Sequence, residues 1–240
     1  MNELWYIPPF SFMDELADAD RDALLRVARR KVYSRHELIF QAGSPGEHVY
    51  ILESGRVKIY QLSPLGREVI QWFCFPGEVF GLAEVPRGGR REVDAEACTD
   101  TDVLSIPHNA FKKFLLDSPG AALLIIDLLA CRLRTLGDML LNLSVDDVSS
   151  RVIKLITRLS ARYGKHQDQH ICLQIQLTHQ EMADMIGTSR QTISSEIGKL
   201  RKQGILRVEN HLIHIERPDL LASLSGASGV PVTAHRTPRH

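Results

Sequence analysis

The chain has 240 residues, enough for two domains of ordinary size, each burying its own core. Its 29 basic residues are matched by 29 acidic ones, which argues against a polycation that coats nucleic acid and leaves room for a local basic face. No apolar run is long enough to span a bilayer, and the N-terminus lacks the basic start and small-residue cleavage site of a secretion signal. A cytoplasmic location without membrane contact is expected.

Taken in chain order, a short helical entry from Met13 to Arg30 gives way to strand-like sequence between about Val32 and Ile106. Alternating apolar residues such as Val49, Ile51, Val57 and Ile59 are separated by turn signals, among them Gly43-Ser-Pro-Gly46, Ser63-Pro-Leu-Gly66 and Pro76-Gly77. Short strands at that spacing suggest a small antiparallel barrel or jelly roll. The period then changes. Asp117-Ser118-Pro119 starts a helix, with Ser118 as cap and Pro119 at the first helical position. Ile126, Leu129, Leu133, Leu136, Leu140 and Leu143 follow at spacings of three and four. A seam so long and narrow, with Arg132, Arg134 and Asp138 off it, favours a parallel two-helix dimer contact over a stripe packed in the helix's own domain. Asp146 and Asp147 offer a cap for a helix from Val148 to Arg162, so a hinge is expected between Leu143 and Asp147.

The most telling stretch runs from Leu177 to Leu200. Thr178 is a good N-cap, Glu181 completes a capping box, and Leu177 and Met182 are placed as a hydrophobic staple. Gly187 permits a sharp turn and Ser189 caps a second helix, whose Ile193, Ile197 and Leu200 share an inner face. Arg190, Gln191, Ser194 and Ser195 are left outside. Arg grips guanine, Gln pairs with adenine, and Ser bonds bases or phosphates, so a helix presented this way can read the major groove. The candidate DNA-binding set is Thr178, Ser189, Arg190, Gln191, Thr192, Ser194, Ser195 and Lys199, with Arg201, Lys202 and Arg207 adding to a basic face. Gly204 to Ile215 reads as two short strands around a turn near Glu209 and Asn210, the wing of a winged helix. The tail from Ser225 to His240 is small, polar and proline-bearing, and is expected to be disordered.

Enzymatic signals are lacking: no G-x-S-x-G, phosphate loop, H-E-x-x-H or dinucleotide fingerprint occurs, and no catalytic residue is assigned. Cys74, Cys98, Cys131 and Cys172 are widely spread and read as packing thiols rather than metal ligands. His166 and His170 are spaced for one helix face but fall in a polar stretch that looks like a loop. No metal site is expected.

A barrel, a long helix, a hinge and a winged helix-turn-helix, in that order, resemble the CRP/FNR family of bacterial transcription regulators across roughly residues 10 to 222. The carrying motifs are Gly43-x-x-Gly46 with Val49-Tyr-Ile-Leu-Glu-Ser-Gly-Arg-Val-Lys58, then Pro76-Gly-Glu-Val-Phe-Gly81, and Gly187-Thr-Ser-Arg-Gln-Thr-Ile-Ser194. The resemblance implies an α+β protein with a cyclic-nucleotide-binding-like sensor domain (1–116), a dimerisation helix (117–145), a winged helix-turn-helix domain (146–224) and the tail (225–240). It also implies a homodimer on a roughly palindromic duplex site, half-sites about one helical turn apart, with RNA polymerase as a further partner.

Departures from the family pattern carry information. The candidate effector pocket comprises Gly81, Leu82, Ala83, Arg91, Glu92, Arg132 and Leu136. Where cyclic-AMP-binding members have Gly-Glu-Leu this chain has Gly81-Leu82-Ala83, which removes the ribose-binding carboxylate unless Glu84 substitutes. Arg91-Glu92 keeps the phosphate-binding arginine but sets a carboxylate beside it, and Leu136-Gly137 stands where those members have the adenine-reading Thr-Ser pair. Cyclic AMP is therefore disfavoured. So is an iron–sulfur cluster, because residues 1 to 30 contain no cysteine. Haem or thiol sensing through His36, His48, Cys74 or Cys98 stays open, as do cyclic di-GMP and ligand-independent binding. A cyclic-nucleotide module without DNA binding, or an enzyme, fits the helix-turn-helix less well.

Overall fold

The computed structural model describes residues 11–167, 170–210 and 212–226. Two short helices, α1 (Phe12–Glu15) and α2 (Asp18–Val27), lead into β1 (Arg29–Tyr33). The expected entry helix stops before Arg30: Ala28 is already extended, and Arg29 and Arg30 pair with Ser105 and Leu104 of the strand that follows much later. Strands β2 (Leu38–Phe40), β3 (His48–Ser54), β4 (Val57–Leu62), β5 (Glu68–Cys74), β6 (Val79–Phe80), β7 (Asp94–Ala97) and β8 (Thr101–Pro107) complete two antiparallel sheets ordered β1-β8-β3-β6 and β2-β7-β4-β5. Neither sheet closes on itself, so the expected barrel or jelly roll takes the form of an open two-sheet sandwich.

Strand β3 shows why the sandwich holds together. Its period-two alternation sends Tyr50 and Leu52 between the sheets, onto Phe40, Ile59, Phe80 and Val103. Val49 and Ile51 go to the opposite face, against Phe12, Leu24, Phe111 and Ile125 from the helices. A strand buried on both faces reads as a continuous apolar run, which Val49-Tyr-Ile-Leu52 is.

Helix α3 (His108–Asp117) follows β8 and was not expected. It lacks a side-chain cap at Pro107, but Phe111 and Phe114 anchor it in the core. Ser118 then donates to Asp20 at 2.6 Å, and its Oγ faces the Ala121 N–H at the start of α4 (Pro119–Val145). Helix α4 carries two apolar stripes. Ala121, Ile125 and Leu128 are buried in the sandwich core, and Arg132 continues that row. Arg132 donates to the Val79 carbonyl at 2.7 Å and lies 5.1 Å over the Trp72 ring, and burial pulls the guanidinium's pKa below its ordinary value. The other stripe, Ile126, Leu129, Leu133, Leu136, Leu140 and Leu143, is exposed along the whole seam.

The contacts divide the chain within this helix, one compact unit ending at Asp138 and the next beginning at Met139. In the second unit α5 (Val148–Tyr163) is capped by Asp147, which accepts from the Ser150 N–H at 2.8 Å; that bond holds the Asp147 carboxyl below the usual carboxylate range. Lys154 reaches back to Asn142 at 3.1 Å and Asp146 at 2.7 Å, clasping the break between α4 and α5. The presumed loop after α5 is largely a hairpin, β9 (Gly164–Gln167) and β10 (His170–Leu173), with His166 exposed opposite Ile171. Then come α6 (His179–Ile186), α7 (Arg190–Lys202), β11 (Leu206–Glu209), β12 (Leu212–Ile215) and α8 (Pro218–Leu224). The wing strands continue the hairpin into one sheet, β11-β12-β10-β9. Most of the tail, from residue 227, lies outside the described residues.

Candidate nucleic-acid interface and effector pocket

The local chemistry of α6 and α7 is fully specified by short polar side chains. Thr178 accepts from the Glu181 N–H at 3.1 Å while Glu181 accepts from the Thr178 N–H at 2.7 Å, so the capping box is closed in both directions. Gly187 ends α6 in the left-handed region at φ +64°, a conformation that costs a side-chain-bearing residue roughly 1–2 kcal/mol. Ser189 then caps α7 by accepting from the Thr192 N–H at 3.1 Å, and its hydroxyl also meets that of Thr192 at 2.8 Å.

Ile193, Ile197 and Leu200 seat α7 in the core of its unit. Beside them Glu196 is buried, accepting from Ser149 of α5 at 2.9 Å and from Lys199 at 2.7 Å; the Lys199 bond leads in holding its carboxyl below the ordinary range. Of the eight candidate side chains, Thr178, Ser189, Arg190, Gln191, Ser194, Ser195 and Lys199 are exposed, and Thr192 is half-buried by its bond to Ser189. Arg190, Gln191, Ser194 and Ser195 form one continuous surface over the first two turns, beside the positive end of the helix. Arg201 and Lys202 are exposed near its other end. Arg207 differs from expectation: Glu216, at 2.8 Å, and Glu209 both engage its guanidinium.

The pocket residues do not converge as a set. Gly81 and Arg91 meet, the Arg91 guanidinium donating to the Gly81 carbonyl at 3.1 Å. Leu82 is buried in the helix-facing core, while Ala83 is exposed. Glu92, expected to aim its carboxylate at the phosphate position, is exposed instead, while Arg91 before it is buried. Arg132 turns to β6 and Trp72, and Leu136 lies on the exposed stripe of α4. Sequence reasoning missed the partners that Arg91 does have. Glu84 forms a buried ion pair with it, the His48 carbonyl accepts from it, and its guanidinium carbon stands 4.2 Å over the Phe40 ring. Phe40, Tyr50 and Phe80 stack on one another behind it. Of the histidines considered for haem, His36 bonds Glu96 at 3.1 Å and His48 lies against Tyr50, while Cys74 and Cys98 are buried thiols.

Both units have known counterparts. Residues 30–118 match the cyclic nucleotide-binding domain family, and residues 150–224 match the Crp-like helix-turn-helix domain family. A Mycobacterium tuberculosis protein described as a CRP-like cAMP-activated global transcriptional regulator is 30% identical over 190 residues, 79% of this chain and 85% of its own length. The structure of FixK2 from Bradyrhizobium japonicum superposes with a TM-score of 0.74 at 26% identity, covering 85% of this chain and 100% of that one. A mutant of CooA from Carboxydothermus hydrogenoformans shares the fold, with a TM-score of 0.79 at 22% identity over 92% of this chain and 99% of its own. The sandwich, the long helix and the helix-turn-helix thus follow one another here as they do in regulators of known kind, and the chain belongs to the CRP/FNR family of transcription regulators.

Proposed function

We propose that the protein is a homodimeric, sequence-specific DNA-binding regulator that works in the cytoplasm and reads a roughly palindromic duplex site with one α7 helix per half-site. The observation that carries this reading is the first two turns of α7. They present Arg190, Gln191, Ser194 and Ser195 on a helix capped by Ser189 and anchored by Ile193 and Ile197. A rigid, polar, capped helix end is suited to the major groove. Thr178, Ser189, Thr192 and Lys199 would flank it on the phosphates. The second apolar stripe of α4 supports the dimer. The row that packs on the sandwich is Ala121, Ile125, Leu128 and Arg132, so the seam from Ile126 to Leu143 is surplus to the chain's own core and has the heptad spacing of a parallel helix pair. In this reading residues 1–116 form the sensor, 117–145 the dimerisation helix and 146–224 the DNA-binding domain, and RNA polymerase is the partner at the promoter.

Cyclic AMP does not serve as the effector in this reading, although the M. tuberculosis relative is described as cAMP-activated. Arg91 is the group on which a cyclic phosphate would depend by family resemblance, and it is already paired with Glu84. Binding-site selection from random duplex DNA with the purified full-length protein, without added nucleotide, tests the whole reading. A palindromic consensus bound at nanomolar protein is the expected result, and recovery of no consensus would remove the claim of sequence specificity.

A further inference from the structure

We propose that Glu84 is the specificity-determining residue of the sandwich pocket: its carboxylate is a built-in anion that occupies Arg91 and closes the pocket to anionic effectors. The inference rests on the reading of Arg91 as the pocket's anion-binding group and deepens the exclusion of cyclic AMP.

Arg91 and Glu84 are both almost fully buried, with exposures of 3% and 6%. A guanidinium at that depth needs a counter-ion, because an uncompensated buried charge is strongly destabilising. Glu84 supplies it through the Nη1 bond, and the carbonyls of Gly81 and His48 take further donors. The face of the guanidinium is covered by Phe40. Three of its five N–H donors are engaged in this way, so a phosphate arriving here would have to share the guanidinium with the Glu84 carboxylate. A Cβ on Gly46 would lie 2.4 Å from Glu84 Cγ, so the glycine exists where the glutamate side chain passes, and the two fit only as a pair.

Backbone hydrogen bonds tie the loop that carries both charged residues to the neighbouring turn. The Gly88 N–H donates to the Glu84 carbonyl at 2.6 Å, and the Gly46 N–H to the Gly89 carbonyl at 3.0 Å. Arg91 N–H donates to the Ser44 carbonyl, and Gly43 N–H to the Arg91 carbonyl, both at 2.8 Å. A second anion entering here would also meet the Glu84 carboxylate at close range in a poorly screened interior, and like charges there repel strongly.

The test is thermal unfolding of the full-length protein, run with cyclic AMP, inorganic phosphate or sodium acetate, each against potassium chloride of equal ionic strength. For the wild type, no anion should raise the midpoint beyond the chloride control. Glu84→Gln keeps the shape and removes the charge, and its midpoint should fall by several degrees and recover with phosphate or cyclic AMP. Glu84→Ala leaves space for a small carboxylate and should recover with acetate. Glu84→Gln combined with Arg91→Met should respond to none. A wild-type midpoint raised by cyclic AMP and made indifferent by Arg91→Met would overturn the exclusion of cyclic AMP. A silent wild type with equally silent, folded Glu84→Gln and Glu84→Ala variants would overturn the role of Glu84 alone. If Glu84→Ala does not fold, Glu84→Gln decides. No readout involves DNA, so site recognition is judged separately.

Discussion

Arg190 stands in the first turn of α7, exposed, and Gln191 beside it can offer both a donor and an acceptor to an adenine edge. Replacing Arg190 by Ala should weaken binding to the selected site by about 1–3 kcal/mol and flatten one position of each half-site, leaving binding to random DNA nearly unchanged. Fluorescence anisotropy on matched and scrambled duplexes checks both. Glu196 acts through structure, by joining α7 to α5. Its carboxyl titrates below the ordinary range, so its contribution is complete above the unfolded-state value and fades as pH falls through the folded one. Glu196→Gln should therefore cost roughly 1 kcal/mol at neutral pH, with the gap to wild type narrowing as the pH falls below the ordinary carboxylate range. Urea denaturation at pH 7 and in acid measures it. At this scale the sequence is a mixed guide. Thr178, Glu181 and Ser189 act on neighbours three residues away, so their bonds are legible in the letters. Which of Glu84 and Glu92 faces Arg91 depends on how a loop folds back, and the adjacent carboxylate is the one that turns out to solvent.

Between helices α6 and α7 the chain turns on one residue. A Cβ on Gly187 would meet Leu143 at an ordinary contact distance of 3.6 Å, so the cost of a side chain there is in the backbone and not in packing. Gly187→Ala should lower stability by about 1–2 kcal/mol and, by loosening the angle between the helices, weaken DNA binding more than its stability loss alone explains. Comparison of unfolding free energy with DNA affinity at a temperature where the variant is fully folded separates the two effects. Elements with such punctuation were readable in advance. The hairpin β9–β10 was not, because Lys165, His166 and Gln167 are exposed on an edge strand and hide the period that Ile171 and Leu173 show only on its partner. Helix α3 escaped for a related reason: its anchors, Phe111 and Phe114, are a single pair, and no cap marks its start.

For the molecule as a whole, the seam on α4 and the DNA-reading surface make one joint prediction. Leu133 and Leu140 are 72% and 67% exposed in the single chain, so Leu133→Glu with Leu140→Glu should leave the monomer fold intact. Two carboxylates in a parallel seam should nevertheless abolish the dimer, and affinity for the palindrome should drop steeply while a half-site is bound as before. Sedimentation equilibrium and gel shifts on full and half sites check the pair. The order of parts, the seam and the reading helix were visible from spacing because each is a local periodicity. The strand order within the two sheets and the paired charges between them were not, since they arise from segments far apart in the chain, such as β1 on β8.

The stacking of Arg132 over Trp72 links the inner stripe of α4 to the sandwich, and it gives the protein an optical gauge of its own. The chain has two tryptophans, and the other, Trp5, lies outside the described residues, so Trp5→Phe leaves a single emitter beneath the long helix. Lifting the helix off its seat hydrates that indole and moves its emission to the red, as Arg132→Met should do in part without unfolding the chain. Any signal that reaches α4 can then be followed by colour, in a solution containing nothing but the protein and its DNA.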